Sequence, residues 1–326
     1  MASSPDFDDV LATLKRVALA AGDMILRGSE TMRHKQAAGL NGTVKEKLNS
    51  TDVVTETDEA VERFVAEELN SKYPHYKFIG EESGANEALT EDPTFICDPI
   101  DGTMNYIHGH PYVSISLGLA YKMRPAVGVV YNPFHHHLYT AAPGRGAYFE
   151  DFRGERRLPL TSPAPPLGGL RESLVLVEWG KEREGINWET VVDTFKNLTA
   201  KDGGMVHDLR TFGGAALNLC TVAAGFVDMA WGGGWEAWDV CAGWAILLEA
   251  GGRIFDGNPS KAMDEPPVDG QMYLAGKSPA SSPSLGNGQV LHVWQVRGAS
   301  KGQEPLAEEF WCQVGGPQKR WTYGKR

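Results

Sequence analysis

Asp98-Pro99-Ile100-Asp101-Gly102-Thr103 follows directly on Thr94-Phe95-Ile96-Cys97, a run that reads as a strand. Two carboxylates three residues apart at a strand terminus can converge on neighbouring cations if the turn between them is tight. Pro99 fixes φ there, and Gly102 lets backbone approach a ligand closely. All-oxygen, charged ligation of this kind suits Mg²⁺, which is held by a few carboxylates together with substrate phosphate. A helix starting at Gly102-Thr103 would aim free N–H groups at that phosphate. Taken alone, the pair also suits an Asx turn or a helix cap.

Further acids accumulate at similar places. Gly80-Glu81-Glu82-Ser83 follows the strand candidate Tyr76–Ile79, and Thr55-Glu56-Thr57-Asp58 stands where a helix begins. Trp238-Asp239-Val240 opens a strongly apolar helix. Asp58 and Asp239 each read as an N-cap, and capping alone accounts for either. Their occurrence together with the strand-end carboxylates favours a shared site. Four clustered carboxylates without cations would repel one another and raise their own pKa values, so the cluster makes sense when metal-loaded.

The elements that must position these groups follow from periodicity. Phe7, Val10, Leu11, Leu14, Val17, Ala18 and Ala21 predict an amphipathic helix over 5–27, and 28–50 reads as a polar loop. A second helix contains Val61, Phe64, Val65 and Leu69 and ends before Pro74. Ile115, Leu117 and Leu119 alternate with Ser114, Ser116 and Gly118, which suits a half-buried strand. Strands over 126–131, 138–141 and 147–149 follow, with a turn at Gly144-Arg145-Gly146. After the Pro/Gly-rich connector 161–169 come a strand at 174–177, helices near 186–199 and 213–225, a strand at 227–231 and a helix from about 239 to 250. Mixed rather than alternating strands and helices predict a layered α/β (α+β) fold with a large antiparallel component.

The chain has 326 residues, 42% hydrophobic and 22% charged, as expected of a globular protein. No stretch reaches the roughly 18 uninterrupted apolar residues of a membrane span. The acidic N-terminus does not read as a secretory signal, and four scattered cysteines without a CxxC pair fit a reducing compartment, so a cytoplasmic location is expected. A net charge of −11 argues against nucleic-acid or anionic-membrane partners, though not against an anionic small substrate once cations are bound. His135-His136-His137 carries little metal signal, because consecutive residues diverge in direction.

The run FICDPIDGTMNY (95–106) resembles the first signature of the inositol monophosphatase family, and WDVCAGWAILLEAGG (238–252) resembles the second. DVVTETD (52–58), FIGEES (78–83) and PGRGAYF (143–149) match in the family's order and spacing, so the resemblance spans roughly 5–278. Within the family the chain is similar to fungal members, including those associated with quinate utilisation. The resemblance implies a layered αβαβα sandwich of the inositol monophosphatase / fructose-1,6-bisphosphatase type, with a catalytic domain over 1–278 and an extension of open role over 279–326. It implies two or three Mg²⁺ ions, bound by Glu81, Asp98, the Ile100 carbonyl, Asp101 and Asp239. Glu81 and Thr103 would orient the attacking water, and Asp58 would hold the Thr103 hydroxyl. Asp101, Gly102, Thr103, Gly213, Gly214 and Ala215 would meet the substrate, and Lys47 matches a lysine on the family's mobile metal-site loop. A homodimer and inhibition by Li⁺ are implied in the same way.

Phosphate monoester hydrolysis leaves the protein mainly positioning and charge neutralisation, which such a site supplies. One departure concerns the substrate. The family glutamate that contacts an inositol hydroxyl falls at Gly232, and Gly214 stands where threonine is frequent. Three functions are therefore open: hydrolysis of inositol monophosphate, hydrolysis of another monoester (a nucleotide 3′-phosphate, a sugar phosphate or a quinate-pathway compound), and a non-catalytic regulatory binding module.

Overall fold

The computed structural model of the chain describes residues 4–39, 44–46, 53–84, 88–161, 169–258, 265–270, 272–277 and 300–314. Helix α1 (Phe7–Ala37) begins after Asp6, whose carboxylate accepts the N–H groups of Asp8 and Asp9 at 3.2 and 3.1 Å. The helix runs ten residues beyond its predicted end, because its buried stripe continues through Ile25, Ser29 and Met32 at helical spacing. The expected loop over 28–50 is corrected accordingly, and it also contains β1 (Val44–Glu46), paired antiparallel with β2 (Val53–Thr55). Lys47 lies outside the described residues. Helix α2 (Glu56–Lys72) follows β2 directly.

A seven-stranded sheet comes next in the order β3 (Lys77–Gly80), β4 (Thr94–Asp101), β5 (Ser114–Tyr121), β6 (Arg124–Asn132), β7 (His137–Ala142), β8 (Gly146–Asp151) and β9 (Gly154–Arg157). Only β3 and β4 run parallel; the remaining neighbours are antiparallel. Helix α3 (Thr103–His108) joins β4 to β5. A second sheet contains β10 (Leu174–Val177), β11 (Asp208–Arg210), β12 (Met229–Gly233), β13 (Arg253–Asp256) and β14 (Met272–Gly276), in the order β11-β10-β12-β14-β13. Its helices are α4 (Gly185–Thr199), α5 (Ala215–Ala224), α6 (Ala237–Glu249) and α7 (Ser300–Trp311).

Three buried clusters define the layering. Val10, Leu14 and Val17 of α1 and Val61 and Val65 of α2 pack on Phe95, Ile115, Leu117 and Leu119 from one face of the large sheet. Its other face and one face of the smaller sheet enclose α5 and α6 through Leu217, Leu219, Val240, Ile246, Val130, Ile254 and Tyr273. Beyond the smaller sheet, Val191 and Leu198 of α4 and Leu306, Phe310 and Trp311 of α7 cover Val175, Trp231 and Phe255. The result is the five-layer αβαβα arrangement that the resemblance implied. Helix α7 falls inside the segment read as an extension, where its apolar face forms part of this outer layer. Val290–Trp294 and Trp321, noted in the sequence as candidates for packing, lie outside the described residues.

Strand β5 is buried along nearly its whole length rather than half-buried. Its polar side does not face water; Ser114, Ser116 and Gly118 face the layer containing α5 and α6. Gly118 and Gly128 pair across β5 and β6, and a Cβ on Gly128 would stand 2.2 Å from the Ala242 carbonyl oxygen. Helix α6 therefore rests directly on the sheet backbone, which no larger residue at 128 would permit.

Candidate active site

Asp98 and Asp101 should point to opposite faces of a strand, being an odd number of residues apart. They do not, because β4 carries a bulge. Asp98 pairs with Ser116 and Asp101 with Ser114, so three steps on β4 match two on β5. The extra residue rephases the side chains, and both carboxylates emerge toward α5 and α6. The strand thus continues through Asp101, where the sequence predicted a turn after Cys97. Gly102 then takes φ +90°, a left-handed conformation that favours glycine, and α3 starts at Thr103 as expected. The first-turn N–H groups of α3 have no intrahelical acceptor and are suited to an anion.

Asp239 arrives from the helical layer between the two sheets. It is not an N-cap but the third residue of α6, and its Oδ2 accepts the Glu236 N–H at 2.7 Å. Asp58 occupies the same position in α2, accepting the N–H of the N-cap Thr55 at 3.0 Å and the Thr55 hydroxyl. Both corrections have one cause: a carboxylate at the third helical residue can reach back to the cap amide. The start of α6 is held against β5 by the Ser116 hydroxyl, which donates to the Trp238 carbonyl at 3.1 Å.

One ligand oxygen from each of Asp98, Asp101 and Asp239 lies within 4.8 Å of the others, the one such group among the described residues. Asp98 and Asp101 are almost fully buried. Burial first, then the charges of Glu81, Asp101 and Asp239, push Asp98 well above the ordinary carboxylate range. Asp101 is raised to about 7 by burial, opposed by the N–H groups of Ala215, Leu217 and Ala216 and by the Ser114 hydroxyl. Asp239 is raised to about 8 by burial and then by Glu81 and Asp101, while the Glu236 amide and the Lys181 ammonium pull the other way. Asp58, fully buried, is raised to about 7 by burial and by Glu81 and Glu82, against the Thr55 hydrogen bond. Hard, charged oxygens concentrated without a neutralising partner among themselves fit a divalent cation.

Glu81 follows β3, and its N–H extends the β3–β4 pairing to the Cys97 carbonyl at 3.1 Å. Its charge helps to raise Asp98, Asp239 and Asp58, although it is not one of the three residues whose oxygens gather within 4.8 Å. The Thr103 hydroxyl donates to the Ile100 carbonyl at 3.1 Å, and Asp58 bonds Thr55 rather than Thr103. Asp58 Oδ1 is buried with no hydrogen-bond partner among the described residues. Gly213, Gly214 and Ala215 stand at the start of α5, as the sequence suggested, but two of their amides already serve the chain's own acids. The Gly213 N–H donates to Glu178 at 3.1 Å, and the Ala215 N–H donates to Asp101 at 2.8 Å. The histidine run lies elsewhere: the His135 and His137 rings are 5.4 Å apart and tilted, and His136 contacts the Tyr131 hydroxyl.

Sequence reasoning missed Glu178, Glu62 and Lys181. Glu178 ends β10 and accepts from the Phe212, Gly213 and Asn218 N–H groups at 3.0, 3.1 and 2.7 Å, fixing the segment that leads into α5. Glu62, on the buried side of α2, accepts the Glu82 N–H at 2.8 Å and so sets the backbone beside Glu81. An acid directly after the apolar run Leu174–Val177 was the signal for Glu178, the same one that marked Asp98.

Fold and carboxylates together define a layered α/β protein with a buried acidic site at the junction of two sheets. The sequence profile of the inositol monophosphatase family matches residues 6–301, and the chain belongs to that family. Inositol monophosphatase 2 of Saccharomyces cerevisiae is 41% identical over 290 residues, covering 86% of this chain and 89% of that protein. Protein qutG of Emericella nidulans is 36% identical, covering 83% and 86%. The inositol monophosphatase structure from Anabaena superposes with a TM-score of 0.66 at 29% identity, covering 83% of this chain and 92% of that one. The protein is thus a phosphoric monoester hydrolase, which sets aside the non-catalytic alternative. No described helix is long and apolar enough to cross a membrane.

Proposed function

We propose that this chain hydrolyses inositol monophosphate to myo-inositol and phosphate with Mg²⁺ as cofactor. The observation that supports this reading best is the set of three aspartate oxygens within 4.8 Å of one another, beside the amide-rich start of α3. Glu81, Asp98, the Ile100 carbonyl, Asp101 and Asp239 would hold two or three ions. Bound there, the ions would neutralise charge on the phosphate and on the leaving alcohol. The chain's own residues then position the reactants. The Gly102 and Thr103 amides bind phosphate oxygens, while Glu81 and the Thr103 hydroxyl orient a water in line with the ester oxygen. Asp58 offers its Oδ1, which has no partner among the described residues, as the acceptor that steadies the Thr103 hydroxyl. The P–O ester bond breaks as the water oxygen joins phosphorus, and the proton ends on the alcohol.

Gly232 favours a second reading, in which the same chemistry serves a different alcohol, such as a nucleotide 3′-phosphate, a sugar phosphate or a quinate-pathway compound. A cytoplasmic homodimer sensitive to Li⁺, with its catalytic domain over 1–278, completes the proposal. Phosphate release from a panel of monoesters, with Mg²⁺ and with a chelator, tests it. Chelator-sensitive turnover of inositol 1-phosphate above the other esters is expected. Turnover of a different ester alone would replace the first reading with the second.

A further inference from the structure

Helix α5 is gripped at its start from both sheets. From the large sheet, Asp101 accepts the N–H groups of Ala215 and Ala216 at 2.8 and 3.1 Å. From the smaller sheet, Glu178, directly after β10, accepts those of Phe212 and Gly213 at 3.0 and 3.1 Å. The same Glu178 oxygen, Oε1, also accepts the side-chain N–H of Asn218, one turn into α5, at 2.7 Å. Glu178, Asn218 and Asp101 are all buried.

The turn that leads into α5 is held at both ends of one peptide. The bond joining Phe212 to Gly213 gives its N–H to Glu178, and its carbonyl accepts Asn105 Nδ2 of α3 at 2.6 Å. Asn105 also donates to the Tyr112 carbonyl at 2.9 Å, and the Tyr112 hydroxyl donates to Asn218 Oδ1 at 3.0 Å, which closes the network. Gly213 takes φ +78°, in the left-handed region that favours glycine. Its carbonyl lies against the turn that starts α3, because a Cβ on Gly102 would stand 3.1 Å from that oxygen. A shift of the 212–214 turn would therefore move the first amides of α5, and the carboxylate of Asp101 is oriented by those amides. Groups that orient a metal ligand matter nearly as much as the ligand, and their loss typically costs about 10–100-fold in affinity or activity.

We propose that Glu178 is a positioning residue for the cation site: by holding the 212–214 turn it places the α5 amides that orient the Asp101 carboxylate, and so sets the affinity for Mg²⁺. The inference rests on the phosphatase reading above, in which Asp101 is a cation ligand, and adds a residue from the opposite sheet to it.

The test measures the Mg²⁺ dissociation constant of the full chain by titration calorimetry, beside its melting temperature, for the unaltered protein, Glu178→Gln, Glu178→Asp, Glu178→Ala and Leu198→Ala. All three donors converge on Oε1, so the carbonyl of Glu178→Gln can accept them. Its constant should stay within about threefold of the unaltered value. Glu178→Asp, one methylene short, and Glu178→Ala leave the donors without that acceptor and should bind Mg²⁺ about tenfold or more weakly. Leu198→Ala opens a cavity in the outer layer, so it should melt earlier with its constant unchanged, which separates positioning from general loss of stability. Glu178→Asp carries the test if Glu178→Ala does not fold. Unchanged affinity in either folded variant, or a loss in Glu178→Gln as large as in Glu178→Asp, would overturn the inference while leaving the phosphatase reading intact. Absence of both Mg²⁺ binding and monoester turnover in the unaltered protein would overturn both.

Discussion

The Asp101 carboxylate and the Ala215 N–H are 114 residues apart in sequence and 2.8 Å apart in space. One side chain thus caps helix α5 and contributes an oxygen to the carboxylate group that could hold a cation. The two roles separate by substitution. Asp101→Asn keeps one acceptor oxygen for the α5 amides but turns its NH2 toward the donors on the other side, a loss offset by relief of repulsion from Asp98 and Asp239, so it should destabilise less than the alanine. Asp101→Ala strands several buried donors and should cost about 1–3 kcal/mol. Both should lose activity by about 100-fold or more, because the cation site loses a charged ligand. Calorimetry beside phosphate release distinguishes the two effects.

Gly128 supports the site from beneath. Its missing side chain lets α6 sit on β6, and a Cβ there would meet the Ala242 carbonyl oxygen at 2.2 Å. Gly128→Ala should destabilise the protein by about 1–3 kcal/mol through overpacking. Because α6 carries Asp239, apparent Mg²⁺ affinity should fall as well, whereas Gly154→Ala, in open space on an exposed turn, should leave that affinity unchanged. Urea unfolding and Mg²⁺-dependent activity in the two variants check this.

Burial and mutual repulsion give a definite pH dependence. Asp58 and Asp101 are raised to about 7 and Asp239 to about 8, from an unfolded value of 3.8, and Asp98 is raised too. Between about pH 4 and pH 8 the folded metal-free protein therefore binds more protons than the unfolded chain. Its stability falls as pH rises through that window. Cations compete with those protons and reverse the loss. Melting temperature in chelator should decline from about pH 5 to about pH 8, and the gain from added Mg²⁺ should widen over the same range. Parallel curves with and without Mg²⁺ would contradict this.

The acids were legible in the sequence because each stands at the end of an apolar run or the start of a helix. Gly102 could likewise be read as the place where α3 begins. The bulge at Pro99-Ile100 was not legible, since it exists only in the register between β4 and β5. The serines at 114 and 116 read as a solvent-facing stripe, because period-two patterning cannot distinguish water from a buried polar site. Glu178 and Glu62 find their partners 34 to 40 and 20 residues away, beyond the reach of local spacing. Strands β11 and β13 are short, and β14 pairs with β12 across a long stretch of chain, so their pairing rather than their composition defines them.

Asp98, Asp101 and Asp239 hold the ions that hydrolysis needs if the proposed function is right. The rate of phosphate release from inositol 1-phosphate by Asp239→Asn at saturating Mg²⁺ decides this. The asparagine carbonyl can still accept the Glu236 N–H, so α6 keeps its start while the site loses a charge. The rate should be lower by about 100-fold or more, with Asp98→Asn equally impaired. Full activity in either folded variant, or activity in the unaltered protein that ignores chelator, would contradict it.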